Sequence, residues 1–315
     1  MRRLGEAHSH RNGWMLPVVS VLVMAVCVLS ARSVTSAAQA PRFKSGITTI
    51  PVTVTVTDSA GRIITGLTRD DFEVYEDGVH EPITQFTDER VPVSLGVVLD
   101  SSDSMRGEAI VDARGALDRF VGQLLWPDDE AFVGTFNHSP RSVTAWKKPP
   151  ASLVSVLAET RPAGGTAIYD AMVAFAPLFE QRTNIRAAMV VLSDGADTAS
   201  DRTLQQAREV LRRSDAFIYA IAIDAPDSRA STRVNPDALR EITGPSGGYT
   251  EVVKSAADLG PATARIADEL NKQYTLAYSS SRPPDGTWRN IRVRVKRGDY
   301  LARSRRAYFA ERHPG

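Results

Sequence analysis

The sequence is almost without cysteine, with one, Cys27, among 315 residues. Cys27 lies inside an N-terminal apolar run, so the rest of the chain has no thiol at all. This excludes a disulfide framework, a catalytic thiol and a zinc–thiolate site from the remainder. Val26 directly before Cys27 argues against lipid attachment. The fold must therefore rest on an apolar core, for which the chain is long enough.

An excess of charge of one sign is also missing. The 38 Lys and Arg residues face 37 Asp and Glu, for a formal net charge of +1. Such a balance offers no basic footprint for nucleic acid. Arg292, Arg294 and Lys296 do form a basic alternation, but an outer face in water is the commoner reason for such a pattern. We expect no nucleic-acid partner.

Histidine is scarce as well. Only His80, His138 and His313 lie beyond the first 40 residues, and none belongs to a Ser-His-Asp motif. The sequence thus gives no support for hydrolysis by a serine nucleophile.

No apolar run is long enough to span a bilayer comfortably, which takes about 20 residues. The longest, at 15–29, follows three arginines and precedes the small residues of 36–40. A basic start, a short apolar run and an Ala-x-Ala-like end predict a secretory signal peptide over 1–40, cleaved after Ala38 or Ala40. We expect a secreted or periplasmic protein. The alternative is an uncleaved N-terminal helix that anchors the protein to the membrane.

The remaining chain falls into three blocks with different periodicity. Residues 41–90 and 271–315 alternate with period two, typical of strands, as in the valines and threonines of 52–57. Residues 91–270 alternate apolar strands with amphipathic helices, which predicts an α/β fold with a doubly wound, mostly parallel sheet. We expect the flanking blocks to build one small β-sandwich-like domain into which this α/β domain is inserted.

One strand of the α/β block ends in a cluster of oxygens. Residues 97–105 read Val-Val-Leu-Asp-Ser-Ser-Asp-Ser-Met, with Asp100, Ser102 and Ser104 spaced two apart. Side chains two apart point the same way in extended backbone. Oxygen ligands without sulfur or imidazole suit a hard cation, Mg²⁺ before Ca²⁺ or Mn²⁺. A helix N-cap would use the same residue types, so the segment alone leaves both interpretations open.

Two further segments end in oxygens. Ala-Gly-Gly-Thr at 163–166 precedes a predicted helix, and Val-Val-Leu-Ser-Asp-Gly at 190–195 ends a later apolar strand. In open parallel sheets ligands lie at the carboxyl ends of strands, near a topological switch point. Three such ends together favour a metal site over a cap.

The three segments resemble the metal-ion-dependent adhesion site (MIDAS) of von Willebrand factor type A domains: Asp-x-Ser-x-Ser at 100–104, Gly-Gly-Thr at 164–166 and Ser-Asp-Gly at 193–195. The segment 66–78 and the closing strands are similar to a bacterial group of secreted proteins with this domain. The resemblance implies a Rossmann-like α/β domain. It also implies a metal site in which the hydroxyls bind directly and the carboxylates directly or through water, formed by Asp100, Ser102, Ser104, Thr166 and Asp194.

Four further acidic residues lie near these segments. Asp103 stands where the family often has glycine, and it either changes the affinity for metal or partner or simply faces water. Asp170 either supports the metal ligands from behind or acts as a cap or surface charge. We expect Asp197 and Asp201 to be solvated loop charges.

The resemblance predicts a metal-dependent binding or adhesion module without enzymatic activity. Its partner would be a protein that offers an Asp or Glu to the cation; a membrane is a partner only if the N-terminal segment is uncleaved. One alternative is a hydrolase or phosphatase with Asp100 as nucleophile, but Ser102 stands where such enzymes need an acid. The other is a site where metal only stabilises the loops.

Overall fold

The computed structural model describes residues 49–148, 152–224 and 234–312. They lie in one compact unit that spans residues 46–315. The predicted signal peptide, with Cys27, and His313 lie outside the described residues. No helix in the described ranges is long and apolar enough to cross a membrane.

The strands and helices follow one another along the chain in three groups. The first group holds four strands: β1 (Thr49–Thr57), β2 (Phe72–Glu76), β3 (Val79–Glu81) and β4 (Ile83–Thr87). The middle group alternates strands with helices: β5 (Val93–Asp100), α1 (Glu108–Leu124), β6 (Glu130–Phe136), β7 (Pro140–Ser142), α2 (Leu153–Leu157), α3 (Ile168–Phe175), β8 (Arg186–Ser193), α4 (Leu204–Arg213), β9 (Phe217–Ile223), α5 (Pro236–Thr243), β10 (Thr250–Val253) and α6 (Leu259–Asn271). The last group is again four strands: β11 (Tyr274–Ser279), β12 (Trp288–Val295), β13 (Leu301–Arg303) and β14 (Ala307–Phe309).

The middle group forms a six-stranded sheet in the order β10-β9-β8-β5-β6-β7. All neighbours pair in parallel except β6 and β7. β5, β6, β8 and β9 are buried over their whole length, as expected of strands with helices on both faces. The prediction of an α/β fold with a mostly parallel sheet is confirmed.

Helices cover both faces of this sheet. α1, α2 and α6 pack on one face and α3, α4 and α5 on the other, each with its own apolar core. α1 illustrates the cause, since its apolar residues recur every three or four positions and so share one buried stripe. The buried residues of that stripe are Ile110, Ala113, Ala116, Leu117, Phe120, Val121 and Leu124.

The first and last groups together form two antiparallel sheets, β13-β1-β11-β4 and β14-β12-β2-β3. Their facing side chains make a third core, with members such as Val52, Val54, Val74, Leu276 and Ile291. Strands from both ends of the described chain therefore build one β-sandwich, as the alternation predicted. The boundaries at 90/91 and 270/271 remain predictions.

A buried polar junction joins the sandwich to the α/β part. The Glu269 carboxylate at the end of α6 accepts hydrogen bonds from Thr55 Oγ1 at 3.1 Å and from the Tyr219 hydroxyl at 2.8 Å. It also pairs with Arg303, while Gln273 Nε2 donates to both hydroxyls. Buried polar groups are tolerated only when they are satisfied in this way, so the junction holds α6 against β1 and β13.

Two details of the fold differ from expectation. A single final strand over 303–309 is wrong, because the chain crosses between sheets at 304–306 and forms β13 in one and β14 in the other. The short elements β7, β10 and α2 were not predicted. The outward position of Arg292, Arg294 and Lys296 is confirmed, since all three are exposed.

Candidate functional site

The candidate site lies where β5 and β8 end side by side. The two strands pair in parallel with Leu99 opposite Leu192, and β6 flanks β5 on its other side. The chain order of the strands reverses at β5, which makes this the topological switch point of the sheet. Asp100 and Ser193 are the last residues of the two strands.

Asp100 is fully buried, with 0% of its surface exposed. One carboxylate oxygen, Oδ1, accepts a hydrogen bond from the Ser102 amide at 2.8 Å. The other, Oδ2, accepts one from the Ser193 hydroxyl at 2.5 Å. Burial raises the pKa of the Asp100 carboxyl to about 7, although these hydrogen bonds act in the opposite direction.

A chain of oxygens continues from β5 to β8. The hydroxyls of Ser102 and Ser104 are 3.0 Å apart, and the Ser104 hydroxyl donates to Asp194 Oδ1 at 2.7 Å. Burial raises the pKa of the Asp194 carboxyl as well. The structure therefore brings four of the five expected side chains to one strand edge: Asp100, Ser102, Ser104 and Asp194.

Thr166, the fifth, reaches the same edge from the loop before α3. It is buried, and its carbonyl accepts hydrogen bonds from the amides of Thr198 at 2.8 Å and Ala199 at 3.1 Å. Its hydroxyl oxygen would lie 3.1 Å from a Cβ placed on Gly195, so the glycine after Asp194 makes room for it. Gly164 in the same loop has a φ of +77°, which favours glycine.

Backbone hydrogen bonds hold the loops of the site together. The Asp103 amide donates to the Gly164 carbonyl at 2.9 Å, and the Ala163 amide donates to the Ser101 carbonyl at 2.9 Å. The Asp103 side chain instead faces solvent. It is 59% exposed and pairs with Arg106, which is 66% exposed, at 2.6 Å. Of the alternatives for Asp103, the solvent-facing one is confirmed.

Asp170 and Asp197 bind the loop after β8 to the start of α3. Asp170 accepts hydrogen bonds from the amides of Asp201 at 3.0 Å and Arg202 at 2.8 Å. Asp197 is half-buried and accepts from the Tyr169 amide in the first turn of α3 at 3.0 Å. The expectation of a solvated charge is therefore wrong for Asp197. Both carboxylates thus tie the loop that follows Asp194 to the helix that follows Thr166.

The donor set fits a hard divalent cation. It consists of carboxylate and hydroxyl oxygens only, which are the ligands that Mg²⁺ and Ca²⁺ prefer. Within the described ranges neither Asp100 nor Asp194 has an ion-pair partner, so the buried Asp100 and the half-buried Asp194 lie together without a compensating charge. The described part of the chain has no cluster of three or more His, Cys, Asp or Glu that could hold a metal. The five expected side chains instead supply three hydroxyls and two carboxylates.

Comparisons with known proteins agree with this architecture. A sequence model of the von Willebrand factor type A domain matches residues 95–196. A von Willebrand factor type A structure from Catenulispora acidiphila is 13% identical and has a TM-score of 0.52, over 75% of this chain and 72% of that chain. Residues 95–196 therefore match the von Willebrand factor type A domain in sequence, and the α/β part shares the fold of such a domain.

A second similar structure is proximal thread matrix protein 1 from the mussel byssus. It is 18% identical with a TM-score of 0.50, over 62% of this chain and 51% of that chain. A further structure of the same protein, 17% identical with a TM-score of 0.50 over 62% and 49%, has a zinc-occupied MIDAS motif. The present chain spans about half the length of the mussel protein. No curated protein matches in sequence.

Proposed function

We propose that this chain is an exported protein-binding module that engages a partner carboxylate through a divalent cation. The oxygen cluster at the switch point carries this proposal. It lies at the ends of β5 and β8 and offers a cation more hydroxyl oxygens than carboxylates. Asp100, Ser102, Ser104, Thr166 and Asp194 would hold the cation, directly or through water. Mg²⁺ is the expected ion, with Ca²⁺ and Mn²⁺ as alternatives.

The chemistry of the donor set explains why the ion would attract a ligand. Three of the five side chains are neutral hydroxyls, so a cation that holds the two carboxylates through water has no charged direct ligand and keeps its attraction for an external carboxylate. Mg²⁺ prefers six oxygens and retains waters that an incoming oxygen can displace. Ser104 is exposed at the rim, which leaves the site open to an Asp or Glu of another protein.

Two observations support binding over hydrolysis. Asp100, the nucleophile of the hydrolase alternative, has no exposed surface, and both its oxygens already accept hydrogen bonds. A nucleophile needs a free oxygen within reach of substrate. The zinc-occupied MIDAS of the mussel byssus protein supports a metal at the equivalent strand edge. Export rests on the signal-peptide pattern of residues 1–40.

The test is capture of partners from an envelope extract on the immobilised protein, with Mg²⁺ or with a chelator. We expect a captured protein that is lost with the chelator and with Thr166→Ala. Thr53→Ala, in β1 of the sandwich, is the matched control and retains capture. Capture that survives both the chelator and Thr166→Ala would place the interface elsewhere. A Mg²⁺-induced rise of the melting temperature without any Mg²⁺-dependent capture would favour the purely structural role.

A further inference from the structure

A pocket of about 410 Å³ opens beside the oxygen cluster, between β6, β7 and the segment after α2. We call it the β6 pocket. Ser101 forms part of its wall and stands in the chain between Asp100 and Ser102. The Asn137 carbonyl at its floor accepts the Ala167 amide at 2.7 Å, next to Thr166. The β6 pocket and the oxygen cluster are therefore lined by neighbouring residues of the same backbone segments.

The floor of the β6 pocket has polar groups without partners. Thr135 is 4% exposed and Asn137 is 7% exposed, and both line the pocket. Within the described ranges neither the Thr135 hydroxyl nor the Asn137 side-chain NH₂ has a hydrogen-bond partner, although the Asn137 side-chain oxygen accepts from the Ser139 amide at 3.2 Å. Both groups remain accessible from the pocket and are not sealed in the core, so a polar ligand there can reach them. Two such groups together mark a place for a polar ligand.

The rim of the β6 pocket is basic. Arg141 and Arg161 line it, both are exposed, and neither has an ion-pair partner among the residues described. Glu159 also lines the rim and offsets one of the two charges. Val143 and Val156 add an apolar wall that suits the methylene groups of a side chain. Two arginines and one glutamate leave the rim with one net positive charge, which suits a single carboxylate.

We propose that the β6 pocket binds a second acidic side chain of the same partner, so that the recognised segment carries two carboxylates a few residues apart. This inference rests on the proposed function for the first carboxylate only, which would bind the divalent cation. The second is held by Arg141 and Arg161 at the rim and by hydrogen bonds from Thr135 and Asn137 at the floor. Side chains two apart in an extended peptide lie on the same side, about 7 Å from each other.

Three blocked peptides test the proposal: Gly-Glu-Gly-Glu-Gly, its Gly-Glu-Gly-Gln-Gly analogue and Gly-Gln-Gly-Gln-Gly. Binding is followed by amide chemical shifts of the full chain in Mg²⁺ and in chelator. We expect the two-carboxylate peptide to bind about three- to tenfold more tightly in Mg²⁺ than the single-carboxylate analogue, as two exposed ion pairs allow. Only the two-carboxylate peptide should shift the amides of Thr135 and Asn137.

The double variant Arg141→Gln/Arg161→Gln should abolish this difference and leave the Mg²⁺-dependent binding of the analogue unchanged. Arg119→Gln, an exposed arginine on α1 without an ion pair in the described structure, is the matched control and should retain the difference. Equal affinities for the first two peptides, or no shift at Thr135 and Asn137, would overturn the proposal. Pocket shifts that persist in chelator, with no effect of Mg²⁺ on any peptide, would support the pocket and reject the metal-dependent function.

Discussion

Ser193 donates a hydrogen bond to Asp100 across the junction of β8 and β5, with 2.5 Å between the hydroxyl and Oδ2. Both side chains are buried, so the hydroxyl fixes the carboxylate in one orientation at the edge of the oxygen cluster. Partners behind metal ligands typically contribute 10- to 100-fold to metal affinity. Ser193 is therefore a positioning residue of the proposed cation site.

Ser193→Ala should weaken Mg²⁺ binding by roughly 10- to 100-fold. The substitution removes the hydroxyl that donates to Asp100 Oδ2, so the carboxylate loses its fixed orientation. Calorimetric titration with Mg²⁺ measures the effect. Ser155→Ala, on the exposed side of α2, serves as control. Unchanged Mg²⁺ affinity in the Ser193 variant would show that Asp100 does not depend on this contact.

Asp103→Asn should change Mg²⁺ affinity by less than about threefold and stability by less than about 0.5 kcal/mol, because exposed ion pairs contribute little. Its partner Arg106 is equally exposed. The same titration, together with urea unfolding, measures both quantities. A larger loss of affinity would mean that Asp103 turns toward the cation when the site is loaded.

Arg289→Met should destabilise the β-sandwich by about 3–5 kcal/mol. Arg289 and Glu76 are each 1% exposed and pair at 2.9 Å, so removal of the Arg289 guanidinium leaves the buried Glu76 carboxylate without a compensating charge. Urea unfolding measures the loss. The double variant Arg289→Met/Glu76→Leu should recover much of it, since apolar replacement of a whole buried pair is often nearly neutral. No recovery in the double variant would contradict this account.

Glu76 should also give the sandwich an acid-sensitive step. Burial alone would raise its pKa, but hydrogen bonds from Ser280, Tyr278, Tyr308 and Arg289 outweigh burial and hold the pKa below the ordinary value of 4.5. A lowered pKa in the folded state stabilises the protein above pH 4.5, and this stabilisation is lost as pH falls through the folded pKa. Free energies of unfolding between pH 6 and pH 3 should therefore fall less steeply for Glu76→Gln than for the wild type.

Gly96→Ala should cost about 1–3 kcal/mol, because its Cβ would stand 2.5 Å from the Phe132 ring inside the sheet–helix core. Gly122→Ala, on the exposed side of α1 with nothing within 4 Å, should instead stabilise the protein by about 0.5–1 kcal/mol. Melting temperatures of the two variants give the comparison. Equal effects would mean that the core around Phe132 can give way.

Much of the fold could be read from periodicity, since β5 is continuously apolar and α1 has one apolar stripe. The oxygen-bearing strand ends were equally visible, because parallel strands end at a common edge. Ser193 was missed as a partner of Asp100, although its place beside Asp194 at the end of β8 was a usable signal.

Other features depend on tertiary contacts that sequence patterns do not carry. Arg289 was not recognised as buried, because arginine is typical of surfaces and its partner Glu76 lies 213 positions away. β7 and β10 are too short for a periodic signal. The role of Asp197 depends on Tyr169, which the loop reaches only in the folded chain.

The pairing of β1 with β11 has a mechanical consequence. The two strands run antiparallel from Thr49 opposite Ser279 to Val54 opposite Tyr274, and Tyr274 is the end from which the chain leads to α6. A pull between Thr49 and the face with Asp194 would act along these strands in opposite directions. Hydrogen bonds that lie across the strands would then be loaded in shear, all at once, instead of opening one after another. The sandwich would thus resist unfolding when tension is applied to the face with Asp194.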